Sequence, residues 1–476
     1  MNTQWNHLVE VVRLKIRGSA TVASVVLSRT AANSTGNVLR TAHATALLAE
    51  LHASCVFYRT LFKGSVLLCL AVFYFSVFSA GAEETDSVLN SRLIFPLESW
   101  HNHGSCIVEC PNGDLLVCWF HGSGERRSDD VEILGARRVR TTGKWTRPFS
   151  MADTPGFPDT NCCMIIDPQA RLWLFWPTIQ ANLWESALMK YKISADYMSP
   201  AGPPVWKTEK VLHMKPGDDF ESVVQRKTEE YLESIGVSLA GEDPRNKRVR
   251  RWAENNYRQA GDKLTRRLGW FSRAHPYILE DRRLILGLYS DGFSFASATY
   301  TDDWGQTWHM SEPIVGGGNI QPSFARRIDG TLVAFMRDNG PAPQRNQVAE
   351  SKDEGQTWTI ARDHPDLLDP GAGNEILKLK SGRWILIHNN TEDGRHQLAI
   401  SVSDDEGRSF RLGRYLEKTE PGKASFHYPS IIQARDGSLH ATYSYFLPGG
   451  LGKGKEGKSI KYAVFDEDWI LNRESR

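Results

Sequence analysis

One short phrase occurs three times in the C-terminal half of the chain, and it limits the possible folds more than any other feature. The copies read Thr-Asp-Asp-Trp-Gly-Gln-Thr-Trp at 301–308, Ser-Lys-Asp-Glu-Gly-Gln-Thr-Trp at 351–358 and Ser-Asp-Asp-Glu-Gly-Arg-Ser-Phe at 403–410. They begin 50 and then 52 residues apart. An even spacing of that size marks a radial or solenoid architecture, in which each unit leans on the next. Strand-like runs precede the copies, as at 296–300 and 398–402. The phrase suits a tight hairpin. Its central Asp can accept bonds from the turn's own N–H groups, its Gly permits positive φ, and its Trp or Phe opens the next strand and packs between sheets.

Strand-like runs come in six sets separated by turn residues. They fall at 104–109, 115–120 and 131–136; at 162–166, 172–176 and 187–191; and at 276–279, 284–288 and 295–300. The remaining sets are 322–325, 331–336 and 347–351; 376–379, 384–388 and 397–402; and 429–433, 438–444 and 459–465. Asp329-Gly330, Ser381-Gly382 and Asp436-Gly437 hold the same place in their sets. Six sets predict an all-β, six-bladed β-propeller over about residues 92–471, an arrangement that leaves only short sheet edges. Residues 218–267 break the pattern: Val223, Tyr231 and Ile235 recur at helical spacing. A helical insertion is predicted between blades two and three, as a cap over a blade edge or as a lid over a pocket.

The 476 residues carry a net charge of +1, and no nucleic-acid recognition motif is present, so no nucleic-acid partner is expected. An apolar run at 65–79 follows Lys63 and ends in Ala80-Gly81-Ala82. Residues 61–82 therefore read as a signal peptide, with residues 1–60 as a disordered or mis-assigned extension and the true start near residue 60. The expected location is secreted or periplasmic; an uncleaved segment acting as a membrane anchor is the alternative. Beyond that segment stand Cys106, Cys110, Cys118, Cys162 and Cys163. An odd count gives no disulfide framework, and no matching His set makes a zinc site, so free buried thiols are expected. No metal motif stands out and no cofactor is expected.

The repeated phrase resembles the Asp-box of sialidases and other bacterial-neuraminidase-repeat proteins. The box is structural, so it points to a scaffold and not to a reaction. The resemblance implies a sialidase-like propeller whose site holds an arginine triad, an acid/base Asp and a Tyr–Glu pair. In His101-Asn102-His103-Gly104-Ser105 the first triad arginine is missing, and His103 stands about where it should be. The loop at 122–130 offers Asp130 as acid/base, with Asp129, Glu125, Arg126 and Arg127 beside it. Arg337 matches the second triad arginine and Arg395 the third, while Gln321 sits near the Glu position. In Phe426-His427-Tyr428-Pro429-Ser430 the reactive group is Tyr428 or His427. Asn374 could bond sugar hydroxyls, and His275 is a weaker candidate. Glu125, Arg127, Arg337, Arg395 and Asn374 thus form the expected substrate-binding set. Tyr428, Asp130, His103, His427 and Gln321 form the expected catalytic set.

Two arginines can clamp a carboxylate in forked geometry, so an acidic glycan is the expected partner. Three functions fit. One is an exo-acting, sialidase-like hydrolase working through a tyrosyl intermediate, outside the usual two-carboxylate scheme. The others are a uronate-directed lyase, favoured by the histidines and the lost Glu, and a non-catalytic acidic-glycan-binding propeller.

Overall fold

The computed structural model describes residues 89–200, 202–239 and 246–472. The expected extension and signal-like segment lie outside these residues. Six antiparallel sheets follow one another along the chain, as a six-bladed β-propeller requires. Blade 1 holds His101–Glu109, Leu115–Gly122 and Glu132–Val139, and the last of these pairs with both Lys144–Trp145 and Phe149–Ala152. Blade 2 holds Cys163–Ile166, Leu172–Ile179, Ala187–Ser194 and Thr208–Val211. Blade 3 holds Tyr277–Leu279, Arg283–Ser290, Phe295–Thr301 and His309–Met310. Blade 4 holds Asn319–Arg326, Leu332–Asp338, Arg345–Ser351 and Arg362–Leu368. Blade 5 holds Glu375–Lys378, Trp384–His388, Gln397–Ser403 and Arg411–Lys418. Blade 6 takes three strands from the C-terminal end, Ser425–Gln433, Leu439–Leu447 and Gly457–Phe465, and a fourth, Asn90–Leu93, from the other end of the described chain. Asn90 lies opposite Val464 and Leu93 opposite Lys461, so the ring is closed by strand pairing.

The repeated phrases form the turns between third and fourth strands. In each, the Asp gathers four partners. Asp303 accepts from Thr301 Oγ1, the Gln306 and Thr307 amides, and Thr307 Oγ1 at 2.6–3.0 Å. Asp353 and Asp405 repeat the pattern. The closing aromatic packs on the preceding blade: Trp308 meets Trp173, Phe175 and Tyr191, and Phe410 meets Phe335. Because strands alternate in direction, these turns share one end of the propeller. The loops between second and third strands share the other end, with the starts of the inner strands.

The insertion is helical, with α1 (Phe220–Ser234), α2 (Lys247–Gly261) and α3 (Lys263–Arg267) between blades 2 and 3. Its apolar side covers blades 3 and 4. Phe220 meets Phe293 edge-on, Trp252 Nε1 donates to the Phe293 carbonyl, and Lys227 pairs with Glu312 at 3.2 Å. Among the described residues no helix is long and apolar enough to cross a membrane.

Candidate functional site

Bulges deliver the central groups to the axis. The inner strands of blades 1, 4 and 6 slip register between His103 and Cys106, Ile320 and Ser323, and His427 and Ser430. The residue just inside each slip has positive φ: Gly104 at 63°, Gln321 at 60° and Tyr428 at 47°. A bulge re-aims side chains. For the two non-glycine residues the conformation costs about 1 kcal/mol or more each, which the surrounding packing must offset.

Tyr428 is the centre of the cluster. Arg337 Nη1 donates to its hydroxyl at 3.3 Å. The guanidiniums of Arg273 and Arg395 lie 5.2 and 5.5 Å from its ring centroid, and the His103 ring lies at 4.5 Å. Gly373 passes so close that a Cβ there would sit 2.5 Å from the Tyr428 ring and 2.9 Å from Arg273 Nε. Burial works against ionisation of Tyr428. Arg337 and Arg395, with the hydrogen bond from Gln321, outweigh it and hold the phenol below the usual tyrosine range.

The cations are themselves fixed. Arg395 donates to His427 Nδ1 at 2.7 Å and to the Gly371 carbonyl at 2.9 Å. A guanidinium only donates, so His427 Nδ1 is bare and its Nε2 carries the hydrogen toward Ser425 Oγ, 2.8 Å away. Burial, reinforced by Arg395, keeps this imidazole neutral. Arg273 donates to the Pro429 carbonyl. Arg337 also reaches Asn339 Oδ1 at 3.2 Å. Opposite them, Tyr289 accepts from Asn161 Nδ2 at 2.8 Å and from Gln321 Nε2 at 3.3 Å.

Two carboxyl groups stand over this floor, both in loops between second and third strands. Burial raises the pKa of Asp291; Arg337 and Arg126 oppose the rise, and Glu185 and Glu125 add to it. Glu125 bonds His101 Nε2 at 3.1 Å. Burial pulls its pKa up, but His101 outweighs that and leaves it below the usual carboxylate value.

Of the residues singled out in the sequence, the structure brings together Tyr428, His103, His427, Gln321, Arg337 and Arg395, with Glu125 at the rim. Asp130 does not join them through any contact. It is exposed and accepts from Ser123 N at 3.1 Å and Ser123 Oγ at 2.9 Å, closing its own loop. Arg127 is exposed. Asn374 is fully buried and donates to Asn346 Oδ1 at 2.5 Å. His275 pairs with Glu375 among the inner strands. Four contributors escape a reading of the sequence: Arg273, Asp291, Tyr289 and His101. Arg273 supplies the third arginine from blade 3, where the resemblance led the search to blade 1. Its one signal is its place two residues before His275, at the start of an inner strand.

The BNR repeat-like domain family matches residues 250–441. No curated protein sequence matches the chain. Among solved structures, a protein of unknown function from Dyadobacter fermentans is similar at 14% identity and a TM-score of 0.55, covering 79% of this chain and 99% of that one. The NanB sialidase of Streptococcus pneumoniae is similar at 12% identity and a TM-score of 0.55, covering 80% of this chain and 71% of its own. A leech intramolecular trans-sialidase is similar at 11% identity and a TM-score of 0.56, over 80% and 71%. With six antiparallel blades closed into a ring and these neighbours, the chain has the six-bladed β-propeller fold of the sialidases it is similar to, and residues 250–441 of it match the BNR repeat-like domain family.

Proposed function

We propose that the protein is an exo-acting glycoside hydrolase for an acidic, carboxylate-bearing sugar such as sialic acid. The observation that carries the reading is the set of three guanidiniums, Arg273, Arg337 and Arg395, around the ring and hydroxyl of Tyr428. In this reading the arginines hold the sugar carboxylate by charge-assisted hydrogen bonds. Tyr428, its phenolic proton first lost to solvent water, attacks the anomeric carbon as the phenolate, since an anionic carboxylate nucleophile would be repelled by such a sugar. Asp291, whose pKa burial raises, in its protonated form gives its proton to the leaving oxygen. Water then breaks the tyrosyl–sugar bond, returning a proton to Asp291. Gln321 cannot act as a base, so the arginine field replaces a neighbouring carboxylate in activating the tyrosine. A cleft of about 470 Å³ beside Arg395, lined by Asp393, His396, Pro421 and Ser425, offers room for the rest of the glycan. A secreted or periplasmic location belongs to the same proposal.

A second reading, a uronate-directed lyase, is favoured by one observation: His103 is kept neutral beside Tyr428 and its buried Nδ1 has no hydrogen-bond partner. The deciding experiment is fluorophore release from an α-linked sialoside by the full chain, with Tyr428→Phe alongside. Turnover that disappears in the variant is expected. No release from the sialoside, with an ultraviolet-absorbing unsaturated product from a uronate polysaccharide, would replace the first reading by the second.

A further inference from the structure

Two histidines and a carboxylate converge at the rim in a way the proposed hydrolysis does not use. His101 and His103 alternate with Asn102 on one strand, so both imidazoles leave the same face. Their ring centroids are 5.0 Å apart. Glu125 comes from the loop after the next strand and meets His101 Nε2 at 3.1 Å. One ligand atom from each of the three residues can be chosen so that all lie within 4.8 Å of one another, the only such trio of metal-ligating types among the described residues. His103 is 5% exposed, and its Nδ1 is buried with no hydrogen-bond partner. An orphaned buried nitrogen is costly.

We propose that His101, His103 and Glu125 form a divalent metal site of the zinc type at the mouth of the propeller. Two neutral imidazoles with one carboxylate are a donor set for zinc and its neighbours, whereas calcium and magnesium take oxygen ligands. The guanidiniums that act on His103, Arg395 and Arg273, disfavour a dication. The site therefore selects for strong nitrogen coordination and for a cation carrying a further anionic ligand, a role the sugar carboxylate of the proposed substrate would fill. Three protein ligands leave a position open, as in catalytic zinc sites. The sequence hid this site because the third ligand comes from a loop that reads as a solvated acidic and basic run.

The test uses the full chain, stripped with a chelator and titrated with Zn²⁺ and with Co²⁺ in the absence of any sugar. One equivalent is expected to bind, with visible cobalt bands of a nitrogen and oxygen ligand set. Glu125→Gln and His101→Ala are each expected to lower affinity by about tenfold or more, while Tyr428→Phe leaves it unchanged. Glu125 is half-exposed, so its variant decides the matter if His101→Ala fails to fold. Absence of an equivalent in the folded wild type overturns the site, as does uptake that is undiminished in the Glu125 variant. Because the readout is metal content and not turnover, failure of the metal site and failure of the proposed hydrolysis are separable.

Discussion

At the scale of single residues, the site's chemistry rests on which groups share a partner. Arg395 and His427 form one unit, because the imidazole's only lone pair accepts from the guanidinium. His427→Ala should therefore act on binding through Arg395, raising KM with little change in kcat for a carboxylate sugar. A fall in kcat alone would show that the imidazole moves a proton. Arg273 has no counterpart in the sequence-derived set, yet it lies over the same ring as Arg395. Arg273→Ala should weaken an acidic sugar by about 2 kcal/mol, roughly thirtyfold, while its neutral analogue is unaffected; equal losses for both sugars would mean that the arginine only supports the fold. Asp291 gives a pH prediction. Its pKa is raised by burial, and the proposed acid works protonated, so the rate should fall as pH rises through that value. Asp291→Asn should lose about a hundredfold in kcat. An aryl glycoside, whose leaving group needs no proton, should recover most of it, and an unchanged alkaline limb in the variant would assign that limb elsewhere.

At the scale of elements, the turns were legible in the sequence and the bulges were not. An Asp-box is a local device: Asp405 satisfies the amides of Arg408 and Ser409 within its own turn, so the residues that need each other stand together in the chain. Asp405→Ala should cost about 2 kcal/mol of unfolding free energy, read by denaturant titration, with activity per folded molecule unchanged. A loss of activity at full stability would place the box in the site after all. A bulge has no such local signature. Gln321 and Tyr428 adopt positive φ because neighbouring strands and the axis hold them there, and no turn residue announces it. The same reason explains the uneven success at the site. Arg337, Arg395 and Tyr428 were found because the family's pattern marks their places. Asp291 and Arg273 were missed because only the ring brings blade 3 to the same mouth. Asp130 was singled out by its position in a loop, but its oxygen closes that loop onto Ser123. The closing strand, Asn90–Leu93, is short and unremarkable in sequence, and only pairing with Gly457–Phe465 defines it.

At the scale of the whole molecule, one ion pair ties together blades that strand pairing cannot reach. His275, from the start of blade 3, sets Nδ1 against Glu375 of blade 5 at 2.7 Å and Nε2 against the Ile107 carbonyl of blade 1 at 2.6 Å. Glu375 also accepts from the Ile431 amide of blade 6 at 2.9 Å. Both ring nitrogens face acceptors, so the imidazole is doubly protonated. Burial alone would lower its pKa, but Cys106 and Glu375 outweigh burial and raise it well above 6.5. Burial likewise works to raise Glu375, and His275 outweighs that and leaves it below 4.5. The raised histidine contributes stability that is complete below its unfolded value of 6.5 and fades as pH rises through its folded value. The lowered carboxylate contributes stability that is complete above 4.5 and fades as pH falls through its folded value. The pair thus contributes fully between those two values, and its alkaline loss is delayed to the folded pKa of the histidine. Glu375→Gln removes the counter-charge from a buried imidazole, and breaking a buried pair costs about 3 kcal/mol or more. Calorimetry across pH should show a wild-type Tm that holds through this window and declines on the alkaline side, and a variant with a lower Tm and a flatter alkaline slope. Since the pair joins the inner strands of four blades, a variant with wild-type Tm at every pH would mean that the ring is held by its blade-to-blade cores alone, with the axis contributing nothing to its closure.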